Sequence, residues 1–392
     1  MQLTPRQALL QFGHVLQQDL FPHLNEAVGA LSPQVELLAS VISLIPLARV
    51  LDAGRARTGR PAKDRAALAT AFISKAILNL PTTRDLMDRL RVDQALRQFC
   101  GWNTPGAVPH ESKFSRAFAE FATSQLPQQL HAAVIESTQS QRLIGHIARD
   151  STAIEARERV PEEVVEKKRA ARRDKAKRRK TKRRKGAHSR AKASERGTRL
   201  QQQCHQKLDT MLDNLPRQCD IGAKKNSKGH EVYWRGYKLH LDVADGQLPI
   251  SAVLTSASLH DSQVAIPLMT MTSQRVTYLY DLMDTAYDAD LIHAQSRELN
   301  HVPIIAPHAR RGTKKPSQLP KVFPDKPTPE LSWAEKDRFK ERTMAERVNA
   351  RLKDEFGASH LRVRGAVKVA AHLMFGVLAL TVDQWLRMAQ PG

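Results

Sequence analysis

The sequence predicts an α/β core, a mixed sheet flanked by helices, preceded by an all-α N-terminal region. Two observations carry this reading. Before about residue 140 the apolar residues recur at helical spacing; Leu9, Leu10, Phe12, Val15, Leu16 and Leu20 share one face. From Leu143 onward, short apolar or alternating runs bounded by turn residues take over, with helix-like segments between them. A third observation sets the class of partner. The 392 residues carry a formal net charge of +22, which favours a polyanion, nucleic acid before anionic membrane.

Residues 1–58 form an N-terminal helical region broken near Ser32–Pro33. The turn Gly59–Arg60–Pro61, flanked by Arg55, Arg57 and Lys63, opens a second helical unit spanning 59–140. Within it Asp64–Asn79 is rich in Ala and Leu, and the helix restarts after Pro81 with Thr82 or Thr83 as N-cap. A break at Gly101–Gly106 precedes a helix from Lys113 to about Leu126. Helix, short turn and helix with Arg84, Arg89, Arg91, Arg97 and Arg116 fits a helix-turn-helix-like DNA-binding unit as well as a bundle with a basic surface.

The third unit spans 141–388 and is interrupted by a basic insertion at about 160–200. Its first strand, LIGHIARDSTAI, is expected to end on Asp150. Lys167 to Lys185 then holds 14 basic residues and one acidic residue, with Lys182, Arg183 and Arg184 among them. Such a run repels itself and suits the phosphate backbone; without aromatic residues it does not suit base stacking. A helix from Gln202 to Leu215 and a turn from Gly222 to Gly229 follow. Next come strands Tyr233–Val243 and Leu248–Thr255, joined at Asp245–Gly246. Leu259–Thr272 is helical, Val276–Met283 is a strand ending on Asp284, and Asp288–Leu299 is helical. Strand Val302–Ala306, an exposed connection Arg310–Pro329, a helix at Phe339–Lys353 and an apolar helix Lys368–Met388 complete the chain.

Helical spacing puts Phe339, Arg342, Glu346 and Lys353 on one face. Taken alone this is a solvated helix with weak ion pairs. Asp150 and Asp284 at strand ends change its meaning, because adjoining strand ends under a helix bring three carboxylates together. Three oxygen donors suit Mg²⁺ or Mn²⁺, and a pair of such ions supports in-line phosphoryl transfer. Asp281 competes with Asp284, but strand alternation puts the two on opposite faces. Asp284 is preferred for its place at the strand end, before Ala286 and Tyr287.

Three cysteines (Cys100, Cys204, Cys219) give no disulfide framework and point to a reducing compartment. Cys204, His205, Cys219 and His230 match no standard zinc spacing. The longest apolar stretch, Val367–Trp385, is interrupted by Lys368, His372 and Asp383, which argues against a membrane span. No basic N-terminal segment leads into an apolar one, so the cytoplasm or nucleoid is the expected location.

With these motifs the chain resembles bacterial insertion-sequence transposases of the DDE class, whose catalytic domain is ribonuclease-H-like. The resemblance runs from about residue 59 to 388. YDLMDTAYDADLI resembles the family's second-aspartate motif, and ASLHDSQVAIPL resembles the His-Asp segment before it. The signature Tyr-x2-Arg-x3-Glu-x6-Lys of one branch matches Arg342, Glu346 and Lys353, with Phe339 in place of the tyrosine. The resemblance implies that Asp150, Asp284 and Glu346 are catalytic and hold divalent ions, Mg²⁺ or Mn²⁺. Arg342 and Lys353 are implied at DNA phosphates, and Trp234 or Trp333 as a stacking partner for a flipped base. The helical unit, with Arg60 and Arg84, is implied to bind terminal inverted repeats, and a homodimer to act on element ends and target DNA. A catalytically inactive nucleic-acid-binding relative and a hydrolytic nuclease on the same fold are the alternatives.

Overall fold

The computed structural model describes residues 33–52, 64–166, 169–170, 173, 198–225, 230–307 and 331–389. Its first part is helical: α1 (Pro33–Ser43), α2 (Leu47–Asp52), α3 (Arg65–Ile77), α4 (Thr83–Val92), α5 (Gln94–Phe99), α6 (Glu111–Thr123) and α7 (Leu126–Gln139). Local chemistry fixes the starts. Asp64 accepts from the Ala66 and Ala67 amides at 2.8 and 3.3 Å. Thr82 and Asp85 form a reciprocal capping box, which satisfies two otherwise orphaned amides at the start of α4.

The second part holds a six-stranded sheet. Its strands are β1 (Leu143–Glu155), β2 (Asp220–Lys225), β3 (Glu231–Ala244), β4 (Leu248–Ser256), β5 (Thr277–Met283) and β6 (Val302–Ile305). The interleaved helices are α8 (Arg199–Gln203), α9 (Leu208–Asp213), α10 (Ser262–Ser273) and α11 (Asp290–Glu298); α12 (Trp333–Phe339), α13 (Thr343–Asp354) and α14 (Ala366–Ala389) follow. Strand order is β2-β3-β1-β5-β6, and β4 also pairs with β3. β3 runs antiparallel to β1, β2 and β4, whereas β5 is parallel to β1 and β6 to β5. A mixed sheet flanked by helices, after a helical N-terminal region, is the predicted class.

Three expectations are corrected. β1 does not end on Asp150 but continues to Glu155, so Asp150 lies inside the strand. Antiparallel pairing to β3 from Ile147 through Glu155 holds it extended. The helix expected at Gln202–Leu215 is two short ones, α8 and α9. Gly222, expected in a turn, belongs to β2. A Cβ there would lie 2.3 Å from Cζ2 of Trp234, so only glycine lets that ring lie against the strand.

α14 organises the core. It is long and apolar enough to cross a membrane, but most of it is buried inside the protein. Its contacts include α1, α3, α6, α7, α13 and β4. Leu373, Phe375, Leu378 and Leu380 are all but fully buried, and each such side chain contributes about 1.5–3 kcal/mol. One apolar cluster joins Phe72, Phe114 and Phe118 of the helical region to Ala148, Ile154, Leu239 and Leu241 of the sheet. Met344, Val348 and Leu352 of α13 belong to it too. The helical region and the sheet thus share one apolar cluster. On the other face of the sheet Arg149 bonds Asp242 at 2.7 Å and Asp281 at 3.3 Å, all three side chains fully buried.

Candidate active site

The parallel pairing of β1 with β5 sets Arg149 opposite Met283. One residue further along, Asp150 continues β1 while Asp284 follows the last residue of β5, near enough for its charge to act on the Asp150 carboxyl. Asp284 ends the strand as the cap of a short turn, accepting from the Ala286 amide at 2.9 Å. Asp150 points to the face covered by α13, where Asn349 Nδ2 donates to its Oδ2 at 3.1 Å. Asp261, just before α10, is the third carboxylate here. It accepts from Ser151 Oγ at 3.0 Å and Lys238 Nζ at 2.9 Å, with His240 Nδ1 at 3.8 Å.

The electrostatics mark these groups as a cluster. Burial pushes the Asp150 carboxyl up to about 6; the charges of Asp284 and Asp261 add to this, while the Ser151 amide and Arg342 oppose it. Burial also raises Asp284, with Asp261 adding, against the Ala286 amide, Arg342 and His260. Asp261 differs. Burial raises it, but His240, Lys238 and Ser151 together hold it below the usual carboxylate range. Beneath them lies Tyr287, 1% exposed, whose hydroxyl has no hydrogen-bond partner among the described residues.

Glu346 takes a different position. Its side chain is half-exposed and bonds Arg342 at 2.5 Å. The expected stripe is divided: Phe339 ends α12, Arg342 ends a 3-10 turn, and Glu346 and Lys353 lie on α13. Arg342 still lies over the Phe339 ring, 5.6 Å from its centroid. Lys353 is half-buried; burial and Lys224 push its ammonium down, while Glu155, Asp354 and Asp150 pull it up.

Asp281 faces away from this cluster. It is fully buried, accepting from Ser296 Oγ at 2.7 Å and Tyr278 Oη at 3.1 Å as well as from Arg149. Trp234 is buried too, its Nε1 donating to the Tyr237 carbonyl, which leaves the stacking role expected of it without an accessible ring; Trp333 is 85% exposed. Arg84 is exposed and lies 3.6 Å from Glu111. Arg60, Lys182, Arg183 and Arg184 lie outside the described residues.

Carboxylate oxygens are the right donors for a hard divalent cation. Asp150 and Asp284, adjacent and both raised by burial, fit such an ion, whose charge relieves the cost of burying theirs. Among the described residues no three His, Cys, Asp or Glu side chains are placed to hold one metal. Glu346, the third carboxylate expected from the sequence, is engaged by Arg342 instead. Asn349 and Asp261, which the sequence does not single out, lie against Asp150 and Ser151. Asn349 follows Glu346 by three positions, on the same helix face, and Asp261 is the aspartate of the His-Asp segment.

Four strands joined by antiparallel pairs and continued by two parallel ones, with one carboxylate in β1 and one just past the end of β5, define the class as a ribonuclease-H-like core of the DDE type. A family model described as a transposase DDE domain matches residues 141–382, and one described as a transposase domain matches residues 26–120. The chain belongs to the DDE transposases of insertion sequences. That family generally uses divalent metal ions. No curated protein and no solved structure matches the chain.

Proposed function

We propose that this transposase binds the terminal inverted repeats of its element and cleaves and joins DNA strands through Asp150, Asp284 and Glu346. The observation that carries the reading is the nearness of Asp150, in β1, to Asp284, just past the end of the parallel strand β5, both carboxyls raised by burial. These three side chains would hold Mg²⁺ or Mn²⁺, which when bound supplies activation of the attacking oxygen and neutralisation of the leaving one. Asn349 keeps one Asp150 oxygen in place. Arg342, released from Glu346, and Lys353 are the cations for the scissile phosphates, the arginine as a fork and the lysine as a point charge. The helical region with Arg60 and Arg84 is the repeat-binding part. Lys182, Arg183 and Arg184 add contacts to the backbone without reading sequence. Paired element ends call for two copies of the chain on DNA.

The test is incubation of purified protein with Mg²⁺ and a labelled terminal-repeat duplex. Joined product is the expected result. Nicks without joining favour a hydrolytic nuclease, and binding without cleavage favours an inactive DNA-binding protein.

A further inference from the structure

A second cavity, lined by none of Asp150, Asp284 or Glu346, lies between the helical region and the segment linking α13 to α14. Its volume is about 370 Å³. Four phenylalanines, Phe72, Phe118, Phe356 and Phe375, give it an apolar floor. Four cations line the rest: Lys75 from α3, Arg362 and Arg364 from the link, and Lys368 from α14.

Lys75 is the informative one. The residue is 8% exposed, and no side-chain hydrogen bond or ion pair joins its ammonium to another described residue. A buried ammonium without a counter-ion is costly, and proteins ordinarily pair it. Burial accordingly pulls it down to about 8, with Asp85 acting in the opposite direction. Arg362, Arg364 and Lys368 are exposed and likewise unpaired among the described residues. The single acid on the lining, Glu111, faces Arg84 at 3.6 Å. α4 begins at the wall with Thr82 and Thr83, its first turn closed by the Asp85 carboxylate.

Cations around a ring-lined floor suit a ligand that is anionic at one end and flat and apolar at the other. An inorganic anion alone leaves the rings unused, and a duplex is far too wide. The volume is at the small end of the roughly 300–1,000 Å³ typical of small-ligand sites. We propose that this cavity binds a single nucleotide unit, its phosphate on Lys75 and the Arg362, Arg364 and Lys368 rim and its base on the phenylalanine floor. The unit comes either from an unpaired nucleotide of bound DNA or from a free mononucleotide. Only the first source rests on the transposase reading.

The experiment measures fluorescence of 2-aminopurine in the full-length chain with three probes: a duplex with one bulged 2-aminopurine, the same duplex fully paired, and the free 2-aminopurine deoxynucleoside monophosphate. Wild-type protein is expected to bind the bulged duplex or the free nucleotide with a change in emission that the paired duplex does not give. Lys75→Met and the double variant Arg362→Ala with Arg364→Ala are each expected to weaken this about tenfold, the scale of a lost charge-assisted hydrogen bond. If Lys75→Met does not fold, the exposed rim variant decides. A wild-type protein that binds paired duplex but neither other probe overturns the proposal, and so do two variants that bind like wild type. Failure to bind paired duplex counts against the transposase reading, while the free-nucleotide arm still decides the cavity.

Discussion

Asn349 donates to Asp150 across 3.1 Å, tying α13 to β1 beside the carboxylate that burial has raised to about 6. This contact fixes one oxygen of Asp150 while leaving the other for a cation. Asn349→Ala is expected to lower cleavage about 10–100-fold, the usual effect of losing a group that orients a metal ligand. More Mg²⁺ should then be needed for half-maximal rate, with DNA affinity unchanged. A cleavage titration against Mg²⁺ checks this, and an unaltered titration curve would remove Asn349 from the site.

Arg342 and Glu346 form an ion pair at 2.5 Å, and on the proposed reading this pair competes with a metal for the Glu346 carboxylate. Arg342→Gln should free Glu346, so that Mn²⁺ binds several-fold more tightly in paramagnetic resonance titrations. The same variant should cleave DNA more slowly, because its phosphate contact is gone. Metal affinity that stays the same or weakens would mean the pair does not restrain Glu346.

Arg149 holds together two buried carboxylates, Asp242 and Asp281, which outweigh the cost of its own burial and raise its affinity for the proton. Removing the arginine leaves two buried acids without their counter-ion. Arg149→Met is predicted to cost about 3–5 kcal/mol in urea unfolding, the scale for breaking a buried pair. A loss below about 1 kcal/mol would show that these acids take up protons and bury themselves neutral.

His131 is fully buried, with Nε2 at 3.0 Å from the Pro249 carbonyl and 3.2 Å from Thr381 Oγ1. Burial, reinforced by the Arg275 charge, pushes the imidazole down to about 3. Between that value and the unfolded value near 6.5, the unfolded chain binds the extra proton. Stability from this residue is therefore complete above about pH 6.5 and lost as pH falls toward 3. Thermal melts from pH 7 to 4.5 should show a falling midpoint, and His131→Gln should flatten the slope. An equal slope in both proteins would assign acid sensitivity to other groups.

Much of the fold is legible because local patterns and tertiary packing agree. The β3–β4 hairpin shows as alternation around Asp245–Gly246, and α4 as a Thr82 cap. β2 does not show, since DIGAKK is polar and has a glycine where the Trp234 ring lies. The far end of β1 is hidden for a related reason: Asp150, Ser151 and Thr152 look like a turn, and only pairing with β3 keeps them extended. Gly236, at φ +150, meets this end of β1 so closely that a Cβ would lie 2.1 Å from the Ile154 carbonyl oxygen. Strand parity puts Asp281 and Asp284 on opposite faces, and Asp281 lies in the buried Arg149 network. Asn349 and Asp261 are not legible as site residues, because their partners Asp150 and Ser151 lie 199 and 110 positions away along the chain.

The central claim is that Asp150, Asp284 and Glu346 perform metal-dependent strand cleavage, and Asp284→Asn tests it most directly when assayed beside Asp281→Asn. Cleavage of a labelled terminal-repeat duplex in Mg²⁺ is measured together with DNA affinity. The account predicts that Asp284→Asn binds DNA like wild type and cuts none of it, while Asp281→Asn loses stability but, where folded, still cuts. Full cleavage by Asp284→Asn, with folded Asp281→Asn inactive, would contradict it.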